Sequence, residues 1–156
     1  DDIVFLLVGD GAVREELQAE ADRLALNNVV FTGRQDKSLM PSLLAISGAS
    51  LVHLKKTDLF TTVMPSKIYE AFGMARPLII GVPGEAGDLV ERAGAGVAIE
   101  PENAEQLVEA VERLAGDPAL CERLGRAGHA YGIRHHDRDD LAEDYLHVIS
   151  RVADVD

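Results

Sequence analysis

Cysteine is nearly absent from the 156 residues: Cys121 stands alone, so no internal disulfide can form and no cysteine-rich metal site can be built. A reducing compartment fits that usage. Basic residues are also scarce, with 15 Lys and Arg against 27 Asp and Glu, a net charge of −12. Nucleic acids and anionic membrane surfaces both require a positive field, so neither is an expected partner. A small anionic ligand is not excluded, because it needs only a local positive site. No apolar run approaches the roughly 20 residues of a membrane span. The chain has neither a signal peptide nor an initiator methionine and enters a strand almost at once, which reads as a segment of a longer protein.

Several chemical motifs are missing too. There is no Walker phosphate loop and no nucleophile elbow. Gly9-Asp10-Gly11 lacks the third glycine of a dinucleotide fingerprint, and no acidic residue follows a second strand in the required place. His135-His136-Asp137 does not make a metal site, since adjacent helical histidines point apart and no second cluster joins them. They read as solvent-facing. His53 and His129 read as satisfied core histidines, although the place of His53 near a strand end leaves a ligand role open. Cys121, without a triad partner, reads as packing.

What is present has a clear order. Hydrophobic residues make up 47% and charged residues 27%, a globular composition sufficient for one domain over residues 1–156. The run Ile3–Val8, apolar throughout and stopped by Gly9-Asp10-Gly11, predicts a strand buried on both faces, as in a parallel sheet. Further strands are expected at 29–32, 51–54, 77–80 and 97–99. Helices are expected at 12–26, 36–47, 66–75, 85–93, 103–115, from 117 to about 131, and 138–152, with 55–64 a loop. Alternating strands and helices of these lengths give an α/β fold: a Rossmann-like parallel sheet of about five strands, helices on both faces, and extra C-terminal helices wrapping it.

Ligands of such sheets bind beyond the carboxyl ends of the strands. Those ends are Gly9-Asp10-Gly11, Gly33-Arg34, the 55–67 loop, Gly81 to Glu85, and Glu100-Pro101. The richest is Met64-Pro65-Ser66-Lys67-Ile68-Tyr69-Glu70. Pro65 suits the approach to a helix, Ser66 can cap free N–H groups, and Lys67 adds a cation. Glu70 follows one turn later on the same face as Ser66 and Lys67. Free N–H groups and partial positive charge at a helix start suit a phosphate.

In this order the residues resemble the C-terminal, donor-binding domain of a family 4 glycosyltransferase of GT-B architecture. The resemblance is carried by Val8-Gly9-Asp10-Gly11, Val29–Gly33, Pro65–Ala71 with Arg76-Pro77-Leu78-Ile79, Gly84-Glu85, Ala93–Val97, Pro101–Asn103 and Asp117-Pro118. The Pro65–Ala71 stretch is similar to the version found in bacterial cell-surface polysaccharide enzymes. The resemblance implies that Glu70 is the second acid of the Glu-x7-Glu motif, holding the ribose hydroxyls of a nucleotide-sugar donor. It implies that the backbone around Met64, Pro65, Ser66 and Lys67 meets the diphosphate, with Lys67 as a point charge. Gly9 and Gly11 form the first glycine loop, Gly33, Arg34 and Gln35 border the base, and Gly84 and Glu85 border the sugar or diphosphate. Thr62 stands where the family has its first acid, a departure that touches the donor-sugar contact.

The implied activity is retaining transfer from a nucleotide-sugar to a saccharide or lipid-linked acceptor, with no metal or other cofactor. The acceptor-binding N-terminal domain and the first strand-helix unit, with its cationic residues, would precede Asp1. The implied location is cytoplasmic, at or near the inner face of the membrane. Two other readings stay open: a nucleotide-binding module without turnover, and a sugar-nucleotide epimerase-like protein.

Overall fold

The computed structural model describes residues 3–153, in two compact units that divide between Leu43 and Leu44. In the first unit, β1 (Phe5–Val8) pairs in parallel with β2 (Val29–Gly33), connected by α1 (Arg14–Arg23). A 3₁₀ turn at Lys37–Leu39 then leads into α2 (Met40–Ile46), with Pro41 in its first turn, where a missing N–H costs nothing.

The second unit carries β3 (Ser50–His53), β4 (Leu78–Gly81) and β5 (Gly96–Ala98), all parallel in the order β3-β4-β5. His53 lies opposite Gly81 and Ile80 opposite Ala98, so the three strands end at one edge. The helices are α3 (Lys67–Gly73), α4 (Glu85–Arg92), α5 (Ala104–Gly116), α6 (Pro118–His136) and α7 (Arg138–Ala153). Every residue of β4 is buried, as its unbroken apolar run requires of a strand covered on both faces. Leu78 and Ile80 join Val52 in a core with Ile68, Ala71 and Phe72 of α3 and Ala86, Leu89 and Val90 of α4. Ile79, pointing the other way, packs with Ala110 and Leu114 of α5 and Leu120 of α6. The sheet of this unit therefore has helices on both faces.

All five expected strands form, but in two sheets, of two and three strands, and not one. β1 is not buried on both faces: Leu7 is exposed and its neighbours half-buried, because a two-stranded sheet has too few elements to cover it. The 55–64 segment is not wholly irregular, since Asp58–Thr62 forms a 3₁₀ turn. α7 does not wrap the sheet: none of its residues is buried, and Leu141, Tyr145, Val148 and Ile149 remain exposed. It departs from α6 at Asp137, whose extended ψ of 131° breaks the helix. No helix among the described residues is long and apolar enough to cross a membrane.

α6 approaches its neighbours through glycine. A Cβ on Gly125 would lie 2.0 Å from the Ala75 carbonyl oxygen, and one on Gly128 would lie 2.9 Å from both Ala95 Cβ and Phe72 Cδ1. This stripe lets α6 settle on the end of α3, where Ala75 takes the left-handed φ of 51° that closes the helix.

Candidate nucleotide-binding edge

α3 begins beyond the carboxyl end of β3, after a loop that contains the Asp58–Thr62 turn. Pro65 presents its carbonyl to Ile68 N–H at 3.1 Å, and the Ser66 carbonyl accepts from Tyr69 N–H at 3.0 Å. The N–H groups of Ser66 and Lys67 have no acceptor among the described residues. The expected Ser66 cap is not made. Ser66 is already helical, at φ −59° and ψ −25°, and its hydroxyl makes no capping bond; a side-chain cap needs extended backbone there. The effect is to leave these donors open.

α4 begins beyond the carboxyl end of β4, and it too lacks a side-chain cap. Its first partnered amide is that of Asp88, which donates to the Gly84 carbonyl at 3.0 Å; Glu85, Ala86 and Gly87 offer N–H groups without acceptors among the described residues. Gly84 has φ of 73°, and a Cβ there would sit 2.2 Å from the carbonyl oxygen of Thr61. Only glycine meets both conditions. Through this contact the segment before α3 lies against the start of α4, so two uncapped helix starts face the same edge. Thr62, exposed, belongs to the same 3₁₀ turn.

Glu70 is exposed one turn into α3 and makes no ion pair among the described residues, nor does exposed Lys67. Ser66, Tyr69 and Glu70 line one wall of a cavity of about 860 Å³, with His129, Ile133 and His136 opposite. Lys67 is not among its lining residues, so the face shared by Ser66 and Glu70 is not completed by Lys67. Met64 is half-buried and packs against the α3–α4 core; Pro65 is half-buried and Glu85 exposed.

The histidines differ from expectation in two cases. His136 is not solvent-facing: it is half-buried, its ring 4.9 Å from that of Tyr69, and its Nε2 has no partner among the described residues. Burial first, then neighbouring His135, holds its imidazole below the ordinary histidine range. His53 is not in the core either: it stands exposed at the carboxyl end of β3, and its Nε2 accepts from Glu102 N–H at 2.8 Å. Cys121 packs, with Sγ donating to the Leu114 carbonyl at 3.1 Å, and burial raises its thiol. No cluster of three or more metal-ligating side chains occurs among the described residues.

In the first unit, Gly9 and Gly33 take left-handed φ values of 126° and 65°, and Gly9 N–H donates to the Gly33 carbonyl at 2.9 Å. Gly11 lies in the turn before α1, where Asp10 accepts its N–H at 3.0 Å. Arg34 is exposed, while Gln35 donates to the Thr32 carbonyl at 2.8 Å. Sequence reasoning passed over Arg14. Its guanidinium carbon lies 3.7 Å from where a Cβ on Gly33 would be, and its buried Nε has no partner among the described residues. The available signal was a cation in the first turn after a glycine loop.

Comparison with known proteins agrees with this architecture. The family described as "Glycosyl transferases group 1" matches residues 1–131. The alpha-D-kanosaminyltransferase of Streptomyces kanamyceticus is 27% identical over 124 residues, covering 79% of this chain and 31% of that protein. The D-rhamnosyltransferase WbpZ of Pseudomonas aeruginosa is 27% identical over 132 residues, covering 83% and 33%. Among solved structures, Anabaena Alr3699/HepE in complex with UDP superposes with a TM-score of 0.80 at 20% identity, covering 96% of this chain and 41% of that one. The chain thus spans about a third of the length of the curated relatives it matches. On the family match across most of its length, the chain belongs to the group 1 glycosyl transferases.

Proposed function

We propose that the chain is the donor-binding, C-terminal half of a two-domain nucleotide-sugar glycosyltransferase and holds the nucleoside diphosphate of the donor. The observation that carries this is the pairing of two uncapped helix starts, at Ser66-Lys67 and Glu85–Gly87, brought together by the Thr61–Gly84 contact. Together they offer five N–H donors without acceptors at the edge where an α/β sheet takes its ligands. The diphosphate accepts from these donors, and Lys67 adds a point charge to a phosphate oxygen. Glu70, whose carboxylate makes no ion pair among the described residues, accepts two hydrogen bonds from the vicinal hydroxyls of the ribose. The UDP held by the Anabaena protein supports the ligand class.

In the whole protein, departure of the nucleoside diphosphate builds negative charge on its oxygens and positive charge on the sugar. The helix starts and Lys67 stabilise the former without a metal or other cofactor, and the sugar passes with retention to a saccharide or lipid-linked acceptor bound elsewhere in the protein. We place this reaction on the cytoplasmic side of the membrane. This chain alone is expected to bind without transferring. Addition of UDP to the ¹⁵N-labelled chain is expected to shift the amides of Ser66, Lys67 and Glu85–Gly87 most strongly. Shifts confined to other surfaces would refute the assignment.

A further inference from the structure

We propose that His53 is a positioning residue for the nucleotide-binding edge, acting as a latch between the loops that follow β3 and β5; this rests on the function proposed above. The His53 ring crosses the neighbouring strand: its Cδ2 lies 2.6 Å from where a Cβ on Gly81 would be, so β4 must end in glycine for the ring to pass. Beyond β4, Nε2 accepts the Glu102 N–H at 2.8 Å. Glu102 holds φ of 63°, a left-handed conformation unfavourable for a residue with a side chain. Two contacts hold it there. Its amide is taken by His53, and its carboxylate accepts from the backbone N–H of Lys56 at 3.1 Å. Lys56 Nζ reaches Glu100 at 3.2 Å, an exposed pair that adds little.

The consequence falls on the segment that leads to α3. It is hydrogen-bonded near its start, at Lys56, to the loop after β5, and further on Thr61 lies against Gly84 at the start of α4. Only residues 62–65 separate Thr61 from Ser66, so a displacement that reaches Thr61 is passed on. Releasing the first of these contacts therefore moves the donors of Ser66 and Lys67 relative to those of α4. The latch uses the lone pair of Nε2 as an acceptor, so a side chain that offers no acceptor at this place releases the Glu102 amide.

The test compares the unaltered chain with His53→Ala and His53→Gln, the amide oxygen of glutamine replacing Nε2 as an acceptor. UDP affinity is measured by calorimetry at pH 8, and hydrogen exchange of the Glu102 amide is followed in parallel. We expect His53→Ala to lose about three- to tenfold in UDP affinity at pH 8, the scale of one hydrogen bond, with faster Glu102 exchange. His53→Gln should retain both. His53→Ala binding UDP as the unaltered chain does, or His53→Gln losing as much affinity as His53→Ala, overturns the latch and leaves the donor site standing. If the unaltered chain binds no UDP, the donor site fails and the positioning role with it.

Discussion

Replacing Glu70 by alanine is expected to weaken UDP binding at least about tenfold, the least that losing a charge-assisted hydrogen bond should cost. The carboxylate stands exposed on the wall of the cavity, with no cation of the chain neutralising it among the described residues, so its acceptor capacity is open to a ligand. A ribose diol uses both oxygens, which glutamine cannot match; Glu70→Gln should therefore fall between the native chain and alanine. Lys67→Ala should act differently. Its ammonium is exposed and contributes as a point charge, so the affinity loss should be a few-fold, about 1 kcal/mol or less, and shrink as salt is raised. In the full-length enzyme, loss of a group that stabilises the leaving diphosphate should lower turnover about a hundredfold. Unchanged affinity and turnover in both variants would remove the basis for the assignment. Calorimetry on the chain and steady-state kinetics on the full-length protein provide the two readouts.

The second large effect is on stability. Phe72 is 1% exposed and sits where α3 meets α6, its ring edge-on to Tyr69 and close to Tyr131. Phe72→Ala should cost about 3–5 kcal/mol, from lost burial and the cavity left behind. Gly125→Ala should cost about 1–3 kcal/mol by the opposite route, since the added methyl meets the Ala75 carbonyl, which belongs to backbone and cannot swing away. Urea unfolding separates these from binding effects. Gly116→Ala, where a Cβ meets nothing within 4 Å, is the control and should change little. A Gly125→Ala variant as stable as the native chain would show that α6 does not seat as closely on α3 as described.

How much of this was legible beforehand varies by element. The strands were, because apolar runs such as Leu78–Ile80 between proline and glycine have few alternatives. Their pairing was not: nothing local to Ile3–Val8 states that β1 pairs with β2. The apolar spacing of Leu141, Tyr145, Val148 and Ile149 correctly indicated a helix, but helical periodicity does not name what covers the face. The glycines of α6 weaken a helix by propensity and gave no sign of packing until Ala75 and Phe72 were found against them. At the site, Ser66 was read as a cap from its residue type alone, whereas capping depends on backbone angles that a sequence does not display. The His53–Glu102 contact joins residues far apart in the chain, and only the parallel register of three strands brings them together. Met64–Glu70 stands out in the sequence because proline, serine, lysine and glutamate gather at a helix start, and Gly84-Glu85 was expected near it from the resemblance. The close approach of Thr61 to Gly84 that brings the two helix starts together has no local signal.

The central claim is that this chain carries a nucleoside diphosphate site built from backbone donors and one carboxylate. Calorimetric titration of the chain with UDP, with GDP, and with inorganic phosphate at matched ionic strength tests it most directly. The account predicts saturable one-to-one binding of a nucleoside diphosphate, abolished or strongly weakened by Glu70→Ala, with inorganic phosphate far weaker because it lacks the ribose. Heat of binding that is equal for inorganic phosphate and both nucleotides, or absent for all three, would contradict it.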